Sequence, residues 1–363
     1  MSSSKIRLGI IGMGGIGREH LRNFMRFSDQ VVVEAICDVD SNRLEPFQKT
    51  SSIPKITTDV EEFFRAPLDA VCISTPNITH YSLAKRALLQ NWHVLCEKPF
   101  TMDAREAEEL WNLSEQKNLV GMLAFSYRFV PSVKMLSEII NQGKAGKIYH
   151  VRCYYLQSWL SSPCAPFSWR LDATQAGTGV LGDLGAHVFD AVRFVTGHEF
   201  LRICAFAKTF IPQRRDPISG ETKQVTVDDA VAVWGEIEGG GLFTAEMSRC
   251  ATGRGNFLTM EINGEGGGFA IDVERPMEIG ACPDVMTEYT DFQTNFAVFP
   301  CPSSFGEQDN YYSQTETFVK VLQGERLSFP SFFDGWQCQK IVDACSKSIQ
   351  AGGRVEVEKS KIK

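Results

Sequence analysis

A chain of 363 residues exceeds the roughly 250–300 residues at which a single hydrophobic core stops growing, so its length implies two domains. Its 37 basic and 44 acidic residues leave a net charge of −7, and no Lys/Arg block is longer than two, so neither a nucleic acid nor an anionic membrane is an expected partner. With 43% apolar and 22% charged residues, the composition excludes a largely disordered or collagen-like chain.

Residues 1–125 alternate short β-branched runs with longer amphipathic ones, the pattern of βαβ units. Strands are expected at Ile6–Ile11, Val31–Cys37, weakly near Ile56, then Ala70–Ser74, His93–Cys96 and Leu119–Ala124. Helices are expected at Gly15–Phe27, Ser41–Thr50, Val60–Arg65, Thr79–Leu89 and Asp103–Lys117, the last capped by Asp103 with Glu106 three residues on. This makes an α/β, doubly wound parallel sheet. Residues 126–363 read as an α+β domain with a large, mainly antiparallel open sheet. They begin with a helix near Val130–Gln142 and contain alternating runs at Val227–Glu238 and Leu242–Cys250, joined by the turn Gly239-Gly240-Gly241. The proline-dotted Cys282–Phe305 is expected to be a loop before helices near Asn310–Gln323 and Asp334–Gln350.

No apolar run is long enough to span a bilayer, and the start of the chain lacks the pattern of a signal peptide, so a cytoplasmic location is expected. The eleven cysteines are scattered without a C-x-x-C pair, which argues against zinc or a redox couple; Cys37, Cys72 and Cys96 sit in strand-like runs as small hydrophobes.

Gly12-Met13-Gly14-Gly15-Ile16-Gly17 directly follows the first strand and opens a helix, and Asp38 ends the second strand 21 residues after Gly17. Glycines there allow a tight turn and close approach of backbone N–H groups to a pyrophosphate, while a carboxylate at a strand tip accepts bonds from a ribose. Asp38 would repel a 2′-phosphate, so NAD is the expected cofactor, with NADP left open by nearby Arg43. Two further stretches, Thr75-Pro76-Asn77 with His80 and Glu97-Lys98-Pro99, follow strands four and five, where open α/β sheets bind ligands. Taken alone, Lys98 is also compatible with a solvated turn lysine.

In the second half, Gly179 to His187 leads into an apolar helix, and Asp183 and His187, four apart, share a helix face. A carboxylate beside an imidazole suits a general base that takes a proton from an alcohol. A capping Asp and a surface His fit the same letters, and no third ligand at a recognisable spacing suggests a metal.

Together, Gly12 to Gly17, Pro76-Asn77 with His80, Glu97-Lys98-Pro99 and Gly179…Asp183…His187 resemble the Gfo/Idh/MocA family of NAD(P)-dependent oxidoreductases over nearly the whole chain. The resemblance implies a catalytic trio in which His187 is the base, Lys98 bonds the reacting hydroxyl and Asp183 orients substrate and His187. Phe167 to Arg170, Val227-Asp228-Asp229, Ala251 to Asn256 and Pro330 to Gly335 are similar to the branch of inositol, levoglucosan and glycoside 3-dehydrogenases. That similarity implies Tyr127, Gln157, Trp169 and Arg170 as substrate or nicotinamide contacts, although interdomain packing explains Trp169 and Arg170 equally well. The expected activity is oxidation of a secondary ring hydroxyl of a sugar, glycoside or cyclitol by a homodimer or homotetramer. An NAD-dependent glycoside hydrolase and a non-catalytic sensor of dinucleotide or sugar are the alternatives.

Overall fold

A computed structural model describes residues 5–283, 296–305 and 309–359. The chain divides into two compact units, Met1–Ser126 with Asp309–Gln337, and Tyr127–Gln308 with Cys338–Lys363.

The first unit runs β1 (Ile6–Ile11), α1 (Gly15–Met25), β2 (Val31–Cys37), α2 (Ser41–Thr50), β3 (Lys55–Thr57), α3 (Val60–Phe63), β4 (Ala70–Ile73), α4 (His80–Leu89), β5 (His93–Cys96), α5 (Ala104–Gln116) and β6 (Gly121–Leu123). All six strands are parallel, in the order β3-β2-β1-β4-β5-β6, so the doubly wound sheet expected from the sequence is present. The order reverses between β1 and β4, which opens the crevice such sheets use for ligands at the carboxyl ends of their strands. The helices start where carboxylates cap them: Asp40, Asp59 and Asp103 accept the N–H groups of Asn42, Glu61 and Glu106. Each cap contributes about 1 kcal/mol.

The second unit continues with α6 (Pro131–Asn141), β7 (Ile148–Leu156), α7 (Ala173–Ala176), α8 (Val180–Asp183), α9 (Gly185–Thr196), β8 (Phe200–Lys208), β9 (Gln213–Arg215), β10 (Thr222–Gln224), β11 (Ala230–Ile237), β12 (Leu242–Ser248), β13 (Phe257–Gly264), β14 (Gly267–Asp272), β15 (Glu278–Pro283) and β16 (Ala297–Pro300). Later in the chain come α10 (Asn310–Leu322), which belongs to the first unit, α11 (Phe332–Ala351), and β17 (Val355–Glu356) of the second unit. Nine strands form one sheet, β16-β15-β14-β13-β7-β12-β11-β8-β17, antiparallel throughout except for the central β7–β12 pair. Alternation sends Val151, Cys153, Phe243, Ala245, Met247, Val231 and Val233 inward, where α9 contributes Phe189 against Phe200 and Phe243. The β11–β12 turn is the expected glycine turn, with Gly239 and Gly240 at φ of 79° and 85°, a region in which only glycine is unstrained.

Two expectations are corrected. Cys282–Phe305 is not wholly a loop: Cys282 and Pro283 end β15, and Ala297–Pro300 pairs with it, with Gly280 opposite Val298. A short apolar run closed by proline suffices at a sheet edge, where the missing N–H is not needed; residues 284–295 of that stretch lie outside the described residues. Asp183 and His187 do not share a face of one continuous helix either: α8 ends at Asp183, Leu184 intervenes, and α9 starts at Gly185.

Within the first unit, α10 packs on α1 through Phe24–Phe318 and stacked Phe27–Tyr312, with Arg26 bonded to Asp309 at 2.9 Å. The segment before α11 lies along the edge of β6: Leu123 N–H donates to the Pro330 carbonyl at 2.8 Å, and Phe332 sits against Phe100 and beside Gly121. This covers backbone groups that an open edge would expose.

Candidate active site

Gly12 adopts φ 91° at the end of β1, and a Cβ there would stand 2.5 Å from the Ser74 carbonyl oxygen. A Cβ on Gly17 would stand 1.8 Å from the Gly12 oxygen, so only glycine lets α1 start this close to the strand. The first turn of α1 has no side-chain cap: Gly14 is its N-cap residue, and the helix begins at Gly15-Ile16-Gly17 with its N–H groups available to an anion. Asp38, 5% exposed, is fixed at both oxygens, Oδ2 accepting Met13 N–H at 2.7 Å and Oδ1 accepting Asp40 N–H at 2.9 Å. Arg43 lies across it, its guanidinium 3.4 Å from both Asp38 and Asp40.

Next to this loop, Thr75 and Pro76 follow β4, and Asn77 is buried just before α4. His80 is wholly buried and faces two carbonyls, Pro99 from Nδ1 and Thr75 from Nε2, each at 2.9 Å. Burial holds its pKa below the usual histidine value. A neutral imidazole carries a single N–H, so it donates to one of these carbonyls and packs against the other. Glu97, 8% exposed, receives His20 Nε2 at 2.8 Å on Oε1 and Lys98 N–H at 3.2 Å on Oε2. Burial alone would raise its pKa, but His20 and the Lys98 charge outweigh it and hold the carboxyl below its ordinary value. His20, on the inner face of α1, thus links the helix that opens at the glycine loop to the turn that carries Lys98.

In the second unit His187, 7% exposed on α9, is walled by two phenols, with ring centroids 4.7 Å from Tyr127 and 6.1 Å from Tyr155. Tyr155 donates to Asn256 Oδ1 at 2.9 Å and Asn256 Nδ2 donates to Tyr127 at 2.7 Å, while the two phenol oxygens are 2.6 Å apart. Since the single proton of Tyr155 goes to Asn256, Tyr127 is the donor of the shared bond, and the three groups close a ring. Gln157 donates to Asn256 at 2.8 Å and receives Trp159 Nε1 at 2.8 Å. Asp183 stands 3.8 Å from the buried Arg249 guanidinium. The loop from Ser158 is held from below by Arg214, which donates to the carbonyls of Leu160, Ser162 and Ala165 at 2.6, 2.8 and 3.1 Å.

Residues 6–125 match the model described as oxidoreductase family, NAD-binding Rossmann fold, and residues 133–270 match the GFO/IDH/MocA C-terminal domain. The chain belongs to the GFO/IDH/MocA oxidoreductase family. Among its relatives, levoglucosan dehydrogenase of Pseudarthrobacter phenanthrenivorans is 29% identical over 97% of this chain and 98% of its own. Myo-inositol 2-dehydrogenase of Thermotoga maritima is 26% identical over 97% and 99%. A solved structure of levoglucosan dehydrogenase in complex with NADH and L-sorbose superposes with a TM-score of 0.89 at 28% identity, covering 98% of this chain and 99% of that one.

The first unit of this oxidoreductase is a Rossmann fold that fits NAD on its own evidence: a glycine cradle that a Cβ would fill, an uncapped helix start, and a carboxylate fixed at the tip of β2. Of the residues singled out by sequence, Gly12 to Gly17, Asp38, Arg43, Thr75 to Asn77, His80, Glu97 and Lys98 lie in the first unit; Tyr127, Gln157, Trp169, Arg170, Asp183 and His187 lie in the second. Tyr127, Gln157 and His187 belong to one cluster. Trp169 and Arg170 stack on each other at 4.5 Å, and no described contact joins them to it.

Sequence reasoning missed His20, Tyr155, Asn256 and Arg249 as parts of these clusters. A signal was present for two of them: Tyr155 continues the inward series Val151, Cys153, and Arg249 continues Phe243, Ala245, Met247, polar groups at positions where a strand buries side chains.

Proposed function

We propose that this oxidoreductase converts a secondary ring hydroxyl of a sugar, glycoside or cyclitol to a ketone. The first unit holds NAD through Gly12 to Gly17 and Asp38, and the second holds the substrate. NAD when bound supplies the hydride acceptor. His187 takes the hydroxyl proton, Lys98 bonds the hydroxyl oxygen, and Asp183 orients substrate and base. The observation that carries this reading is the setting of His187, a buried imidazole walled by phenols and amides that already hold fixed donor and acceptor directions. Such a wall suits a ring with many hydroxyls, whose positions it can discriminate. The names of the relatives agree with this substrate class.

The outer face of the large sheet supports assembly as a homodimer or homotetramer: Phe206 and Trp234 are 73% and 70% exposed, with Tyr154 and Leu242 on neighbouring strands. Light scattering of Trp234→Glu is expected to show dissociation, and a wild-type monomer would refute the assembly. No helix among the described residues is long and apolar enough to cross a membrane.

The test is NADH absorbance with NAD and a panel of levoglucosan, myo- and scyllo-inositol, glucose and aryl glucosides. Turnover with one ring class is expected, and it should fall by a factor on the order of a thousand in Lys98→Ala and His187→Ala with NADH binding retained. Normal turnover in both variants would overturn the assignment, and aglycone release without net NADH would replace it with hydrolysis.

A further inference from the structure

Arg249 follows β12 at the next inward position, and only 1% of its side chain is exposed. A guanidinium in such a place carries a large desolvation cost unless an anion and hydrogen-bond acceptors offset it. Among the described residues one carboxylate lies within 4 Å of it, Asp183, with Oδ2 at 3.8 Å from Nη1. Nη2 donates to the Asp228 carbonyl at 2.9 Å, and Nε meets no acceptor among the described residues. The same Asp228 uses its carboxylate to cap α8, accepting the N–H groups of Gly179 at 2.9 Å and Leu181 at 2.8 Å. A Cβ on Gly179 would stand 2.0 Å from the Asp228 oxygen and 2.9 Å from Nη2. Gly179, Asp228 and Arg249 are therefore one frame around the short helix that ends in Asp183.

We propose that Arg249 is a positioning residue for Asp183: its buried guanidinium, 3.8 Å from Oδ2, attracts that carboxylate, and its anchorage on Asp228 fixes where the carboxylate points. An ionised Asp183 can only accept hydrogen bonds, so it reads a donor, either a substrate hydroxyl or a cationic side chain. Trp159, whose ring centre lies 5.7 Å from the guanidinium carbon, shares the same support. The inference rests on the proposed role of Asp183 for its catalytic consequence, whereas the pairing itself stands on the geometry above.

Four proteins test it: wild type, Asp183→Asn, Arg249→Met and the double variant, with Arg249→Lys as the conservative control. Thermal unfolding reads the pairing without any turnover. Asp183→Asn, which leaves Arg249 buried without its anion, is expected to melt roughly 3–6 °C lower, and adding Arg249→Met should recover part of that loss. Steady-state rates read the consequence. Turnover is expected to fall about 100-fold in Arg249→Met with NADH affinity unchanged, to fall only about tenfold in Arg249→Lys, and to change less than about twofold when Arg249→Met is added to Asp183→Asn. Additive melting shifts, or Arg249→Lys turnover within twofold of wild type, would overturn the proposal. A wild type silent on every substrate would count against the functional reading instead, and the melting cycle would still decide the pairing.

Discussion

Replacing His20 by Ala tests whether the turn that carries Lys98 depends on a group more than seventy residues earlier. The change removes the Nε2 donor at 2.8 Å from Glu97 and leaves the Lys98 amide, at 3.2 Å, as that carboxylate's remaining described donor. His20 Nδ1 has no partner among the described residues, so Nε2 carries the proton that is lost. A hydrogen bond to a charged group contributes about 1.5–3 kcal/mol. About 2 kcal/mol is therefore expected, roughly 4–8 °C in the melting of a unit of this size. The pH dependence gives a second readout. In the native protein the Glu97 pKa is held below its ordinary value, so its ionisation contributes stability above the unfolded value of about 4.3, and that stability is lost as pH falls through the lower folded value. Without His20 burial dominates, the folded pKa moves above the unfolded one, and stability instead falls as pH rises through that range. Melting curves of wild type, His20→Ala and His20→Gln between about pH 2 and pH 8 measure both effects, with Gln restoring part of the loss because it keeps a donor. A His20→Ala protein that melts within 1 °C of wild type with an unchanged pH slope would refute the reasoning.

Gly17→Ala places a Cβ at 1.8 Å from the Gly12 oxygen, far inside the 3.0 Å that real Cβ atoms respect, so the loop must open by more than 1 Å. NADH affinity by fluorescence titration should fall at least about tenfold, and unchanged binding would show that this turn does not hold the dinucleotide. Asp38→Ser removes the carboxylate at the tip of β2 and leaves Arg43, still 3.4 Å from Asp40, facing the same place. The ratio of NAD to NADP turnover is expected to shift toward NADP by roughly tenfold or more, since a like-charge clash costs several kcal/mol.

Much of the first unit was legible because local rules act there in series. The period-two and period-3.6 runs, the Asp103 cap and the glycine positions place five of six strands and all five helices within a few residues. The weak strand near Ile56 emerges as the three-residue β3, which owes its place to pairing with β2 and carries little signal of its own. What could not be read is what long-range packing decides. The central parallel β7–β12 pair joins segments about ninety residues apart, and α10 returns to the first unit because Phe318 and Tyr312 meet Phe24 and Phe27, which no periodicity announces. The site divides the same way. Gly12, Asp38, Lys98 and His187 belong to motifs with fixed spacing, whereas Asn256 and Arg249 join the cluster only through the register of β7 with β12 and β13.

Arg214 bears on how tightly a ligand can be held. By tying three carbonyls of the segment after Ser158, it removes freedom that a loop would otherwise lose on meeting a ligand, at about 1–2 kcal/mol for each residue ordered. Trp159 and its bond to Gln157 are therefore in place before any ring arrives. Association with such a surface is rigid docking, with small structural change and an affinity set by complementarity of shape and hydroxyl pattern. Under the proposed function, discrimination between epimers of one ring would follow from a wall that does not yield to the wrong one.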